Sequence, residues 1–141
     1  MSKLFQYNIA KMRFSFDDPR FDDFRSQLAV VHKVAEDHAG FIWRLLGENG
    51  EEGYIKPYKD PLVMGNLSAW RDYDSLYDFT FSGAHLSIMK PKRKWFEKIQ
   101  GHYNVLYYHD SFENALEVAK QKLRYLRVYG ETPAAFTWGF Q

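Results

Sequence analysis

Asn8 and Asn66 each stand in the middle of a segment that otherwise reads as a strand, where asparagine is disfavoured and a covered carboxamide needs a partner. That partner is either a ligand, the backbone or a nearby hydroxyl such as Ser68. Asn66, Ser68 and Trp70 are spaced by two, so strand alternation places all three on one face. His85 shares a helical stripe with Ile88 or Met89, Trp95 and Ile99, where an imidazole either packs through a hydrogen bond or moves protons near neutral pH. Arg44 either anchors an anionic group or forms a salt bridge at a sheet edge or dimer interface. Trp43 belongs to the core or lines a pocket, and Tyr103, Tyr107 and Tyr108 pack a dimer barrel or line that pocket. Lys90, Lys92, Arg93 and Lys94 read as a solvated helix face.

Several chemistries are excluded at once. The chain contains no cysteine, which removes disulfides, thiolate catalysis, iron–sulfur clusters and Cys-ligated zinc. No metal site is expected: His102 and His109 lie an odd number apart on one strand, and His32 and His38 lack the helical spacing that lets two imidazoles share an ion. There is no phosphate-binding glycine loop, nucleophile elbow or paired-carboxylate signature. Lys and Arg (19) nearly balance Asp and Glu (18), so charge makes no case for nucleic acid or an anionic membrane. No run approaches the ~20 apolar residues of a membrane span, and the N-terminus lacks a signal-peptide core, which leaves a cytoplasmic protein as the expectation. Aromatic residues make up 18% of the chain, enough to supply both a core and the walls of a cavity.

The elements that must position these groups follow from periodicity. Residues 4–14 alternate as a strand. Asp17-Asp18-Pro19 opens an amphipathic helix carrying Phe21, Phe24, Leu28, Val31 and Ala35, which Gly40 stops. A second strand is expected over 41–46, a glycine-rich loop or hairpin over 47–60 and a third strand over 62–71. Helical segments follow to Phe81 and from Ala84 to Gln100, with Pro91 kinking or dividing the second. A fourth strand is expected over 102–109. An Asp110/Glu113 capping box then opens a helix with Phe112, Leu116, Ala119, Leu123 and Leu126 as its stripe, and a short strand over 135–140 ends the chain. At 141 residues the chain reads as one domain, residues 1–141. The order is that of an α+β protein with a ferredoxin-like βαββαβ core, an antiparallel sheet, and a C-terminal helix and strand extension. Apolar residues occur at both strand parities, so the second sheet face needs a cover, and a second copy of the sheet in a homodimer is the expected one.

The segments 6–10 (QYNIA), 40–45 (GFIWRL), 66–70 (NLSAW), Ala84-His85, Trp95-Phe96 and 132–137 (TPAAFT) together resemble the family described as domain of unknown function 3291. That resemblance implies the dimeric α+β-barrel superfamily, which includes antibiotic-biosynthesis monooxygenases, haem-degrading monooxygenases and polyketide cyclases. It implies a subunit pocket between sheet and helices. Asn66 and Trp70 resemble the Asn and Trp four apart on the third strand of cofactor-independent, quinone-forming monooxygenases. Asn8 and His85 match an Asn and a His of the haem-degrading relatives, and Phe79 stands near the position of their helical Trp. The expectation is therefore a monooxygenase-like or cyclase/isomerase enzyme for a small apolar, aromatic or polycyclic molecule, with no cofactor. His85, Asn66 and Asn8 are the expected catalytic residues. Trp70, Ser68, Trp43, Arg44, Phe79, Trp95 and Tyr107 are the expected substrate contacts. The alternatives are a haem protein with His85 as axial ligand and a non-catalytic ligand-binding module.

Overall fold

A strand hydrogen-bonded on both edges organises the protein. In the computed structural model, which describes residues 2–47 and 54–140, β1 (Lys3–Met12) is that strand. β3 (Val63–Trp70) pairs antiparallel with one edge of β1, and β2 (Phe41–Arg44) pairs with the outer edge of β3. On the other edge of β1 lie β5 (Asn104–His109) and the two-residue β4 (Phe96–Glu97), both antiparallel. The main order β2-β3-β1-β5 is the antiparallel ferredoxin-like arrangement expected from the sequence. Gly50 and Gly53 of the expected loop lie outside the described residues.

The two parities of β1 serve two cores. Leu4 and Met12 face α1 (Asp22–Asp37), α2 (Tyr73–Thr80) and α3 (Gly83–Met89), together with Met64, Trp70 and Leu106 of neighbouring strands. Phe5, Tyr7 and Ile9 face the other way with Leu67, Ala69, Val105 and Tyr107. That second face is covered by α5 (Ala115–Tyr129), whose Ala115, Ala119, Leu123 and Leu126 join its core. Here the structure departs from expectation. The cover assigned to a second copy of the sheet is supplied within the chain, because two alanines in the α5 stripe let the helix approach the strands closely. Tyr7 and Tyr107 are fully buried beneath it.

Local signals set the boundaries. Asp18 accepts a hydrogen bond from the Arg20 amide and opens a short 3-10 turn at Pro19, which hands over to α1. Asp72 caps α2 through the Ser75 amide at 2.8 Å. Pro91 divides rather than kinks its segment: α4 (Lys92–Trp95) is one turn long, and the chain leaves it as a strand at Phe96 to pair with Met12. The expected capping box at Asp110 does not form. Ser111 accepts from the Glu113 amide, Asn114 adopts a left-handed conformation (φ 50°), and α5 starts only at Ala115. Phe112 therefore lies outside the helix and packs on Phe5 and Trp43. The C-terminal arm docks on the edge of β5 through paired Leu106–Phe136 backbone hydrogen bonds of 2.7 and 2.9 Å, and Trp138 meets Tyr73, Tyr77 and Phe81. Among the described residues no helix is long and apolar enough to cross a membrane.

Gly40 is required by close approach. Its carbonyl accepts from the Arg71 amide at 2.8 Å, and a Cβ at this position would collide with the buried Ser75 side chain at the start of α2. Gly40→Ala should cost about 1–3 kcal/mol in urea unfolding, and adding Ser75→Gly should recover part of the loss. Deleting the residues after Gly130 removes the buried Ala135 and Phe136 and should lower the melting temperature by several degrees, checked by calorimetry. An unchanged melting curve would show the arm to be dispensable.

Candidate functional site

The inner face of the sheet, beneath α1, α2 and α3, is apolar at both ends and polar in the middle. At one end Leu4, Trp70 and Leu106 are buried, and at the other Met12 and Met64. Between them, strand register brings Asn66, Asn8 and Asn104 side by side in one row across β3, β1 and β5. Ser68 and Gln6 stand opposite each other in the next row. These five side chains are only half-buried, whereas Phe5, Tyr7, Ile9, Leu67, Ala69 and Val105 of the same strands are buried. The result is a floor of uncharged hydrogen-bonding groups between apolar ends, with the Arg44–Glu36 ion pair beside Ser68 at the β2 edge.

The amides form a small network. Gln6 Nε2 donates to Asn8 Oδ1 at 3.1 Å and to Asn104 Oδ1 at 2.6 Å. Trp70 Nε1 donates to Ser68 Oγ at 2.9 Å, which fixes the indole over its own strand. Phe79 of α2 stacks on Trp70 with centroids 5.0 Å apart, and His85 of α3 meets Phe79 edge-on at 5.2 Å. An unbroken series of contacts therefore leads from Ser68 through two aromatic rings to His85. Burial pushes the His85 imidazole below its usual pKa, opposed in part by the Thr80 backbone carbonyl, and its Nδ1 is sealed without a partner. The neutral ring is thus the native form at pH 7.

Asn8, Asn66, Ser68, Trp70, Phe79, His85 and Trp95 all lie on the helix side of the sheet, with Phe79 and His85 forming the outer wall. Trp95 is buried against Phe24 at 5.1 Å, and its indole N–H has no partner. Arg44 is on this side too, but its guanidinium is engaged by Glu36 of α1 at 3.1 Å, the salt-bridge reading of that residue. Trp43 and Tyr107 are not brought to the floor. Trp43 pairs with Ala69 and Tyr107 with Phe5, positions of the opposite parity, so both pack under or beside α5 on the other face. Burial raises the Tyr107 and Tyr7 phenols above their usual range there.

Two floor residues, Gln6 and Asn104, were missed in the sequence reading. Gln6 shares the parity of Asn8 on β1 and could have been found by that signal. Asn104 becomes visible only once β5 pairs with β1. A separate open groove of about 530 Å³, lined by Tyr73, Tyr108, Pro133, Phe136, Gly139 and Phe140, lies under the C-terminal arm and contains none of the floor amides.

Solved structures with this fold include SnoaB, a cofactor-independent oxygenase from Streptomyces nogalater, at 13% identity and TM-score 0.54, with 79% of this chain and 96% of that one covered. A putative antibiotic biosynthesis monooxygenase from Nitrosomonas europaea matches at 9% identity and TM-score 0.52, covering 79% and 91%. A conserved protein from Methanosarcina mazei Go1 matches at 12% and 0.53, covering 79% and 94%. The architecture is thus the ferredoxin-like fold of antibiotic-biosynthesis-monooxygenase-like proteins. Within it, the chain belongs to the family described as domain of unknown function DUF3291, whose model matches residues 3–141. No curated protein matches.

The state of His85 can be checked directly. Because its folded pKa lies below the unfolded value of about 6.5, the neutral imidazole contributes stability above that pH, and the contribution is lost as pH falls through the folded pKa. Melting temperatures between pH 7.5 and 5 should therefore fall less steeply in His85→Phe than in the parent protein. Equal slopes would show that His85 titrates normally.

Proposed function

We propose that this protein is a small-molecule enzyme of the cofactor-independent monooxygenase type, acting on an apolar aromatic or polycyclic substrate held between the sheet and α1–α3. The observation that carries this reading is the row Asn66–Asn8–Asn104 with Ser68, an uncharged hydrogen-bonding floor beside the stacked Trp70–Phe79 wall. Such a floor suits a flat molecule whose oxygen gains negative charge during reaction, since amide and hydroxyl donors in a half-dry site stabilise an oxyanion without first neutralising it. The fold shared with a cofactor-independent oxygenase supports the same class.

The chemistry balances without a reductant. A methylene next to a carbonyl loses a proton to give an enolate, whose oxygen rests on the floor. Electrons from that carbanion reduce dioxygen. The methylene carbon becomes a carbonyl carrying one oxygen atom, and the second oxygen leaves as water with the two methylene hydrogens. The first proton passes to water, and the amides drive the step by lowering the substrate's own pKa.

The haem alternative has less support. His85 Nδ1 is sealed without a partner, and the ring lies edge-on against Phe79 at 5.2 Å, so a macrocycle on that side of the imidazole would meet the Phe79 ring.

Anthrone, a tricyclic ketone with an acidic methylene, tests the proposal. Turnover should consume one dioxygen per anthraquinone formed, and Asn66→Ala should slow it by about 10²-fold or more with the fold intact. Anthrone binding without oxygen uptake would replace the enzyme reading with that of a ligand-binding module. Rearranged product without oxygen uptake would indicate a cyclase or isomerase.

A further inference from the structure

The floor has a polarity, and one residue sets it. Both hydrogens of the Gln6 Nε2 group are committed, one to Asn8 Oδ1 and one to Asn104 Oδ1. The nitrogen and oxygen of a carboxamide lie on opposite sides of its carbon. Holding each asparagine by its oxygen therefore turns each Nδ2 away from Gln6. Among the described residues no hydrogen bond takes up either of these NH2 groups, and both side chains are half-open to solvent. Ser68, opposite Gln6, already accepts from Trp70 and keeps its own hydrogen to donate. The Asn66 carboxamide, at the end of the row, has no side-chain hydrogen bond among the described residues and can turn either edge to a ligand.

We propose that Gln6 is a positioning residue that locks Asn8 and Asn104 with their N–H edges outward, so that the floor selects the ionised oxygen of a phenol or enol over its neutral hydroxyl. The inference rests on the pocket reading above and adds to it the ionisation state of the ligand and two residues, Gln6 and Asn104. A neutral hydroxyl must place its hydrogen on an acceptor, and the two NH2 groups offer none. An oxyanion accepts from both. Such charge-assisted bonds are roughly twice as strong as neutral ones. The opposite arrangement, with Gln6 accepting from both asparagines, would present two carbonyls and favour the neutral hydroxyl.

Two dyes that change colour on ionisation, 4-nitrophenol and alizarin, read the difference. Each would be titrated with the full chain across the pH range of its own ionisation, following both binding and the colour of the bound form. The bound dye should ionise at least about one pH unit below the free dye, a tenfold preference for the anion. In Gln6→Glu the carboxylate can only accept, so both asparagines turn to donate to it; the preference should disappear or reverse. Gln6→Met, which frees both amides without adding charge, should bind dye with a preference between the two, and circular dichroism would verify that both variants fold. An anion preference unchanged in Gln6→Glu and Gln6→Met would overturn the role of Gln6. A bound dye that ionises above the free dye in the parent protein would overturn the donor polarity. Failure of the parent protein to bind either dye would instead sink the pocket reading on which both depend.

Discussion

β1 is hydrogen-bonded along both edges and covered on both faces, and the rest of the structure answers to that constraint. Away from its ends, where Lys3 and Lys11 lie, a strand in this position has no solvent side on which to place polar groups. Each side chain it carries must be apolar, be partnered inside the protein or face an internal opening. Leu4, Phe5, Tyr7, Ile9 and Met12 take the first course by burial in one core or the other. Gln6 and Asn8 take the other two, and the half-open floor exists because two polar side chains sit side by side on the same parity of the central strand.

The floor is held by elements whose own stability has nothing to do with it. The Asp72 cap and the close approach at Gly40 fix the start of α2, which places Phe79 on Trp70. Trp70 in turn gives its N–H to Ser68, so the aromatic wall and the hydroxyl of the floor are one unit. β5 is tied to the C-terminal arm through Leu106 and Phe136, next to the strand position that carries Asn104. A site of neutral donors depends on such rigidity, because single hydrogen bonds contribute little unless the groups are already aimed before the ligand arrives.

α5 gives the sheet a second layer of helix in the same chain. Its alanines allow close packing over Tyr7 and Tyr107, so the face that would otherwise be bare is closed without a second copy. The outer side of α5 still carries Tyr125, Val128 and Tyr129, of which Val128 and Tyr129 are 71% and 68% exposed. The two faces thus divide the work of the sheet, one building the closed core with α5 and the other carrying the half-buried polar row beneath α1–α3.

Local chemistry made much of this legible in the sequence. Alternation in β1 and β3 put Asn66, Ser68 and Trp70 on one face, the Asp18-Pro19 signal located the start of the first helix, and the order of elements implied the antiparallel sheet, because each depends on residues adjacent in the chain. What lay beyond reach depended on contacts distant in sequence. Parity says which residues share a face of one strand but not which face of the sheet that is, so Trp43 and Tyr107 could not be separated from Asn66 until the strands were paired. The start of α5 escaped because Asn114 in a left-handed conformation overrode an apparent capping box. Asn104 joined Asn8 only through a pairing 96 residues apart in sequence, and the Gln6 network that aims both amides exists only in the folded sheet. The sequence by itself determined which side chains alternate and where helices can begin; the tertiary structure decided which face each side chain meets, since face and partner are properties of the assembled sheet and not of any one strand.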